Sequence, residues 1–171
     1  MFLRVLLLLP LLFITACANL NVSTDYSIKP DSKKGLVVFS FTTEGLLDNY
    51  FLKYRGIDNP NENAIVLWTI YDTFDWHDSP EGRLVVVELD EGSYEFHEIR
   101  LGAIHTLERM SIPFKAKAGK VVYMGNLHVN FQEELVFVSS YDESSRDLEL
   151  LFSKYKKLDE KDVIKDRFLI K

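Results

Sequence analysis

The chain has 171 residues, is 47% apolar and 13% aromatic, carries a formal net charge of −6 and contains one cysteine. That apolar content excludes an intrinsically disordered chain. The acidic balance disfavours nucleic acid or an anionic lipid surface as partner, since both demand a basic patch, and a lone thiol cannot close an internal disulfide.

The chain opens with Met1-Phe2-Leu3-Arg4, one positive charge, then runs apolar from Val5 to Phe13 with Pro10 inside, and continues Ile14-Thr15-Ala16-Cys17. A basic start, an apolar run and small residues before a cut are the features of a secretory signal. The run from Val5 to Phe13 is nine residues, whereas crossing a hydrocarbon core takes about 20, so no transmembrane helix is expected. Ile14-Thr15-Ala16-Cys17 resembles a bacterial lipobox. The resemblance implies that the Cys17 thiol receives a diacylglyceryl group, that residues 1–16 are cut away, and that the new amine is acylated with a palmitate-type chain. Two or three chains hold a domain stably at a membrane where one is marginal. Ala18 and Asn19 follow the cysteine; without Asp directly after it, the resemblance implies the outer membrane of a Gram-negative envelope, with the domain facing the periplasm. The mature chain, Cys17 to Lys171, is 155 residues, the size of one domain.

Residues 17–34 are polar and read as a tether: either a flexible spacer or, through Tyr26 and Ile28, a segment docked as a short edge strand. Gly35 to Thr43 is rich in β-branched and aromatic residues and predicts a first strand. Leu47 to Arg55 predicts a second. Asp58 to Asn63 is a turn cluster. Asn63 to Tyr71 predicts a third strand, apolar on both faces and therefore central. Asp72 to Gly82 is an acidic loop. Strands follow at Leu84 to Leu89 and Ser93 to Leu101, joined by Asp90-Glu91-Gly92. Arg109 to Ala118 alternates strictly but contains Pro113, which places it at an edge or a bulge. Val121 to Phe131 and Glu134 to Tyr141 complete about eight strands.

Ser144-Ser145-Arg146-Asp147 matches a capping box, and Leu148, Leu151, Phe152 and Tyr155 form one helical stripe. Acids at the start and lysines at the end suit the helix dipole, so a helix is expected near 142–157. Val163 to Ile170 reads as a last strand or a frayed tail. The pattern predicts a mainly β fold: an antiparallel β-sandwich over residues 35–171 with one C-terminal amphipathic α-helix.

Three stretches carry a second resemblance. They are Leu89-Asp-Glu-Gly-Ser-Tyr94-Glu-Phe96, Ile112-Pro-Phe-Lys-Ala-Lys-Ala-Gly119-Lys-Val-Val-Tyr123-Met-Gly125-Asn126, and Tyr141-Asp142 followed by Arg146-Asp147-Leu148. Together they resemble bacterial lipoproteins with a carboxypeptidase-regulatory-like, transthyretin-like β-sandwich. The resemblance implies a fold and an envelope location; its motifs are turn glycines and core tyrosines and bring no catalytic residues.

The densest polar cluster is the loop with Asp72, Asp75, His77, Asp78 and Glu81. Carboxylates beside an imidazole suit Ca²⁺ or Zn²⁺, yet the spacing fits neither an EF-hand nor a zinc pattern, and a solvated hairpin explains it as well. His97, His105 and His128 are scattered, and no nucleophile elbow, phosphate loop or dinucleotide fingerprint is present. Tyr50, Phe51, Tyr54, Trp68, Tyr71, Phe74 and Trp76 concentrate aromatic surface, as core or as an exposed docking patch. The expected function is a lipid-anchored, non-catalytic binding or assembly module with no cofactor. Its partners are the membrane, through Cys17, and an envelope protein. The alternatives are a small-ligand or metal site on the Asp72–Glu81 loop and, less favoured, a hydrolase that would need one of the histidines beside a serine or carboxylate.

Overall fold

The structure, a computed structural model, describes residues 21–29, 31–44, 50–58, 62–67, 74–76, 80–101, 104–105, 110–132 and 135–170. The signal, Cys17, Trp68, Tyr71, Asp72, His77 and Asp78 lie outside the described residues. Eleven strands are described: β1 (Lys34–Thr43), β2 (Tyr50–Gly56), β3 (Glu62–Leu67), β4 (Asp75–Trp76), β5 (Glu81–Asp90), β6 (Gly92–Leu101), β7 (Ile104–His105), β8 (Ile112–Ala116), β9 (Val121–Gln132), β10 (Leu135–Tyr141) and β11 (Val163–Lys165). One helix, α1 (Ser144–Lys154), follows β10. Among the described residues no helix is long and apolar enough to cross a membrane.

The strands form two sheets of a β-sandwich. The larger has the order β10-β9-β1-β5-β4, with β11 also on β9; the smaller has the order β3-β2-β6-β7, with β8 also on β6. Most pairs are antiparallel, as expected, but β1 lies parallel to β9, and so does β11, so the larger sheet is mixed. The third strand differs from its expected central place: among the described residues β3 is an edge strand, paired with β2 alone. Ile65 and Leu67 enter the core, while Val66 lies opposite Phe51 on the outer face, so cross-strand apolar pairing accounts for its two-sided pattern. Among the described residues β8 pairs with β6 alone, and Pro113 is exposed at that strand edge.

The larger sheet is covered on both faces. Between the sheets, Phe39, Phe41, Leu52, Tyr54, Phe96, Ile99, Phe114 and Val122 form the main core. On the opposite face, Leu36, Val38, Leu84, Val86, Val121 and Tyr123 pack against Leu151 and Tyr155 of α1. A strand buried on both faces reads as an unbroken apolar run, which is the texture of Leu36 to Phe39 and of Leu84 to Val87. The helical stripe falls as its period requires, with Leu151 and Tyr155 fully buried and Leu148 and Phe152 partly so. The C-terminal stretch is a strand rather than a frayed tail: β11 pairs with β9, and beyond it Phe168 donates its amide to Met124 O and buries its ring in the main core.

One bulge decides what the face beneath the helix presents. Val38 pairs with Tyr123 and Ser40 with Asn126, so β9 spends one extra residue there. Val122 and Met124 point into the core before it, and Leu127 and Val129 after it. Without that extra residue Asn126 and His128 would point into the main core. Gly125 allows the bulge, with φ +91 and a Cβ position 2.9 Å from Tyr141 O. Gly119, at φ +68, has nothing near its Cβ position. Gly119→Ala therefore bears only the left-handed backbone penalty, about 1–2 kcal/mol, while Gly125→Ala adds a backbone clash and is expected to cost about 2–4 kcal/mol. Urea unfolding of the two variants checks this; equal losses would show that the close approach at the bulge constrains nothing.

Candidate functional site

Of the acidic loop, Asp75 and Glu81 are described. Asp75 is committed: Arg83 donates Nε to Oδ1 at 2.5 Å and Nη2 to Oδ2 at 2.8 Å. Both side chains are almost wholly buried, so this is a bidentate pair held out of water. Glu81 opens β5 opposite Thr43. The structure thus brings Asp75 to Arg83 rather than to Glu81, and among the described residues no three metal-ligating side chains converge.

The larger concentration of buried polar groups lies where α1 begins. Asp147, fully buried, is its centre. Its Oδ2 accepts the hydroxyls of Ser40 and Tyr123, each at 2.6 Å. Its Oδ1 accepts Nε of Arg146 at 2.9 Å and Nη2 at 2.8 Å. Nη2 of Arg146 also reaches Ser40 Oγ, at 3.0 Å. The capping-box reading of Asp147 is therefore corrected. The N-cap is Glu143, with no side-chain cap bond, and Asp142 Oδ1 accepts the Ser144 amide. Asp147 turns inward because a sheet hydroxyl, a tyrosine and an arginine together satisfy its carboxylate better than one helix amide would.

The hydrogen bonds continue along β1 and β9 in one direction. Ser40 gives its proton to Asp147, so it accepts from Asn126 Nδ2 at 3.0 Å. Asn126 Oδ1 then accepts from Thr42 Oγ1 at 3.1 Å. With its proton so placed, Thr42 accepts at 2.9 Å from His128 Nδ1, which assigns the Nδ1–H tautomer. Nε2 of His128 faces Glu44 Oε1 at 4.0 Å. The charge at Asp147 thus orients a chain of donors that ends at a histidine.

Of the three predicted histidines, His128 joins this chain. His97 sits at the β2/β6 register shift; its Nε2 is buried without a hydrogen-bond partner, 3.7 Å from Glu62 Oε1. His105 lies in β7, paired with Arg100. His97 stands on the smaller sheet and His128 on the larger, and among the described residues no cluster of metal-ligating side chains gathers them. His128 does stand beside a hydroxyl and a carboxylate, but Thr42 is 1% exposed and already hydrogen bonded at both ends, which is not the setting of a nucleophile.

A groove of ≈ 720 Å³ opens beside the cluster, between α1 and the start of β5, lined by Trp76, Pro80, Arg146, Glu149, Leu150 and Ser153 among others. The Arg146 guanidinium carbon lies 4.4 Å from the Trp76 ring centroid, a stacked cation–π arrangement. Gly82 makes room for the indole: a Cβ there would lie 2.2 Å from the Trp76 ring. Trp76 Nε1 donates to Pro80 O at 3.0 Å. Of the aromatic group noted in the sequence, Tyr50, Tyr54 and Phe74 are core, while Phe51 and Trp76 are half-buried.

Residues 21–29 lie against the same side of the sheet. Asn21 brackets β5, accepting the Val86 amide at 2.8 Å and donating to Leu84 O at 3.0 Å. Val22 donates to Val86 O and accepts the Tyr155 hydroxyl. Tyr26 donates to Glu88 at 2.8 Å, and Val22, Tyr26 and Ile28 pack on the second apolar cluster.

No pattern in the sequence announces the Asp147 cluster, since its members come from β1, β9 and α1. Tyr123, Asn126, Arg146 and Asp147 do all fall within the quoted stretches at 112–126 and 141–148, which meet here in space.

Asp147→Ala strands Ser40, Tyr123 and Arg146 together and is expected to cost about 3–5 kcal/mol by urea unfolding. A loss below 1 kcal/mol would mean that water replaces the carboxylate at no cost. A second expectation concerns alkali. Burial, reinforced by Asp147, pushes the Tyr123 hydroxyl far above the usual tyrosine range. Burial and Glu88 raise Tyr26, and burial and Asp90 raise Tyr94. Unfolded tyrosines lose their protons near pH ~10 while these three keep theirs, so stability present below that pH falls as the pH rises through it. Absorbance at 295 nm should show them silent until the chain unfolds, and ionisation of all eight tyrosines in the native state would contradict this.

Compared with models of known protein families and with curated proteins, the chain matches none.

Proposed function

We propose that the protein is a bacterial lipoprotein, acylated at Cys17 and held at the outer membrane facing the periplasm, whose β-sandwich acts as a non-catalytic binding or assembly module. The anchor rests on the lipobox-like Ile14-Thr15-Ala16-Cys17 behind a short apolar run, and the transthyretin-like resemblance is consistent with it. The binding role is carried by one observation. The buried hydroxyls in the chain that ends at His128, those of Ser40 and Thr42, are consumed in hydrogen bonds, while the groove beside that chain is open and carries Trp76, Pro80 and Leu150. An accessible tryptophan beside apolar neighbours is the kind of anchor that binding surfaces use; reaction centres need a reachable nucleophile or base.

Labelling with radioactive palmitate and membrane fractionation test the anchor. The native chain should take up label and sediment with outer membranes; Cys17→Ser should lose the label and leave the membrane fraction. In-cell cross-linking of the tagged native chain tests the module, and an envelope protein recovered with it but not with Cys17→Ser is the expected result. Unlabelled native protein would overturn the anchor, and native protein without a partner above background would overturn the assembly role.

A further inference from the structure

We propose that the Trp76 groove is the face on which the domain rests against the phospholipid bilayer, with Trp76, Pro80 and Leu150 at the boundary between headgroups and acyl chains. This rests on the reading of Cys17 as the lipidated residue and adds an orientation to it.

Two observations set the geometry. The first is distance. Four peptide steps separate Cys17 from Asn21, and Asn21 is fixed to β5 by both ends of its amide. Four extended residues span at most about 14 Å, so Asn21, which touches Leu84 and Val86, lies within that reach of the Cys17 backbone. The second is direction. Tyr26 lies beside Glu88, Val22 beside Val86, and Asn21 beside both Val86 and Leu84. Followed backwards, the segment runs down β5 toward Gly82, the residue on which the Trp76 indole sits. Gly82 is two residues beyond Leu84, about 7 Å along a strand, so the anchor and the groove share one end of the sheet.

The chemistry of the groove fits the interface. Tryptophan is favoured at headgroup level, where its ring is apolar and its edge polar. Arg146, stacked on Trp76, has its charge answered by Asp147, and Arg83 has its charge answered by Asp75. With Glu149 also on the rim, the face offers no net positive charge, so the contact is aromatic and apolar and does not require anionic lipid.

Trp68→Phe leaves Trp76 as the only tryptophan of the chain. The lipidated protein is reconstituted into phosphatidylcholine vesicles brominated either at carbons 6 and 7 or at carbons 11 and 12, and its emission is compared with that in unbrominated vesicles. The expected result is strong quenching by the shallow bromines, weaker quenching by the deep ones, and no change in high salt. Leu169→Trp in a Trp68→Phe/Trp76→Phe background puts the reporter near β9, at the other edge of the larger sheet, and should stay bright. As an independent route, Pro80→Cys supplies one free thiol beside the acylated Cys17. A nitroxide there should be more accessible to oxygen than to a water-soluble nickel chelate.

Mass analysis of the N-terminal peptide and co-sedimentation separate the two ways of failing. An unacylated Cys17 overturns the anchor reading and this inference with it. An acylated, vesicle-bound protein overturns the inference alone if Trp76 stays bright or the nitroxide at position 80 favours the nickel chelate.

Discussion

The structure depends on one buried carboxylate. Withdrawing a charge from water costs several kcal/mol unless its lone pairs are answered, and Asp147 is answered by three side chains from three elements: Ser40 on β1, Tyr123 on β9 and Arg146 beside it on α1. Apolar packing of Leu151 and Tyr155 holds the helix on the sheet but tolerates sliding. Hydrogen bonds to one carboxylate do not, so they fix where along the strands the helix begins. The parallel register of β1 on β9 is fixed by the same bonds, because Ser40 and Tyr123 must both reach Oδ2.

From that point the polar groups are arranged by consequence. Each hydroxyl has a single proton, so the demand at Asp147 settles the direction of the bonds through Ser40, Asn126 and Thr42, and finally the tautomer of His128. The bulge at Gly125 makes this possible by changing the parity of β9, which brings Asn126 and His128 onto the helix-bearing face. Past the reach of α1 that face is more open, with Phe137 and Tyr141 exposed on β10.

Much of the fold was legible in the sequence, because the principal strands carry their period in their own residues. Ile112, Phe114 and Ala116 alternate as an edge strand must, and Leu36 to Phe39 is apolar without a break because it is buried twice. What could not be read is what depends on distant partners. The parallel pairing of β1 with β9 leaves no local mark. β3 looked central because Val66 meets Phe51 on an outer face, and cross-strand pairing of that kind is silent in one strand. Asp147 had the spacing of a helix cap, and only the nearness of Ser40 and Tyr123 turns it inward. The acidic loop showed the converse error. Asp75 stood out beside other acids, but its partner Arg83 lay a few residues on, outside the cluster that drew notice. For residues 17–34 the polar composition leaned toward a spacer over a docked segment, and Asn21, the residue that fastens 21–29, is of a type as common in turns as in contacts.

The strand order also has a consequence for how the chain reaches this state. β1 is the first strand to leave the N-terminal segment, yet its neighbours are β5 and β9, with Leu36 opposite both Glu88 and Val121. The smaller sheet can zip through neighbouring hairpins, but the larger cannot close until most of the polypeptide is available, and closing so long a loop is slow. Until β9 arrives, β1 and β5 carry apolar side chains on both faces with half their backbone groups unpaired. The docking of β9 on β1 is accordingly the expected slow step in folding, and the interval before it is when such a chain is most exposed to aggregation.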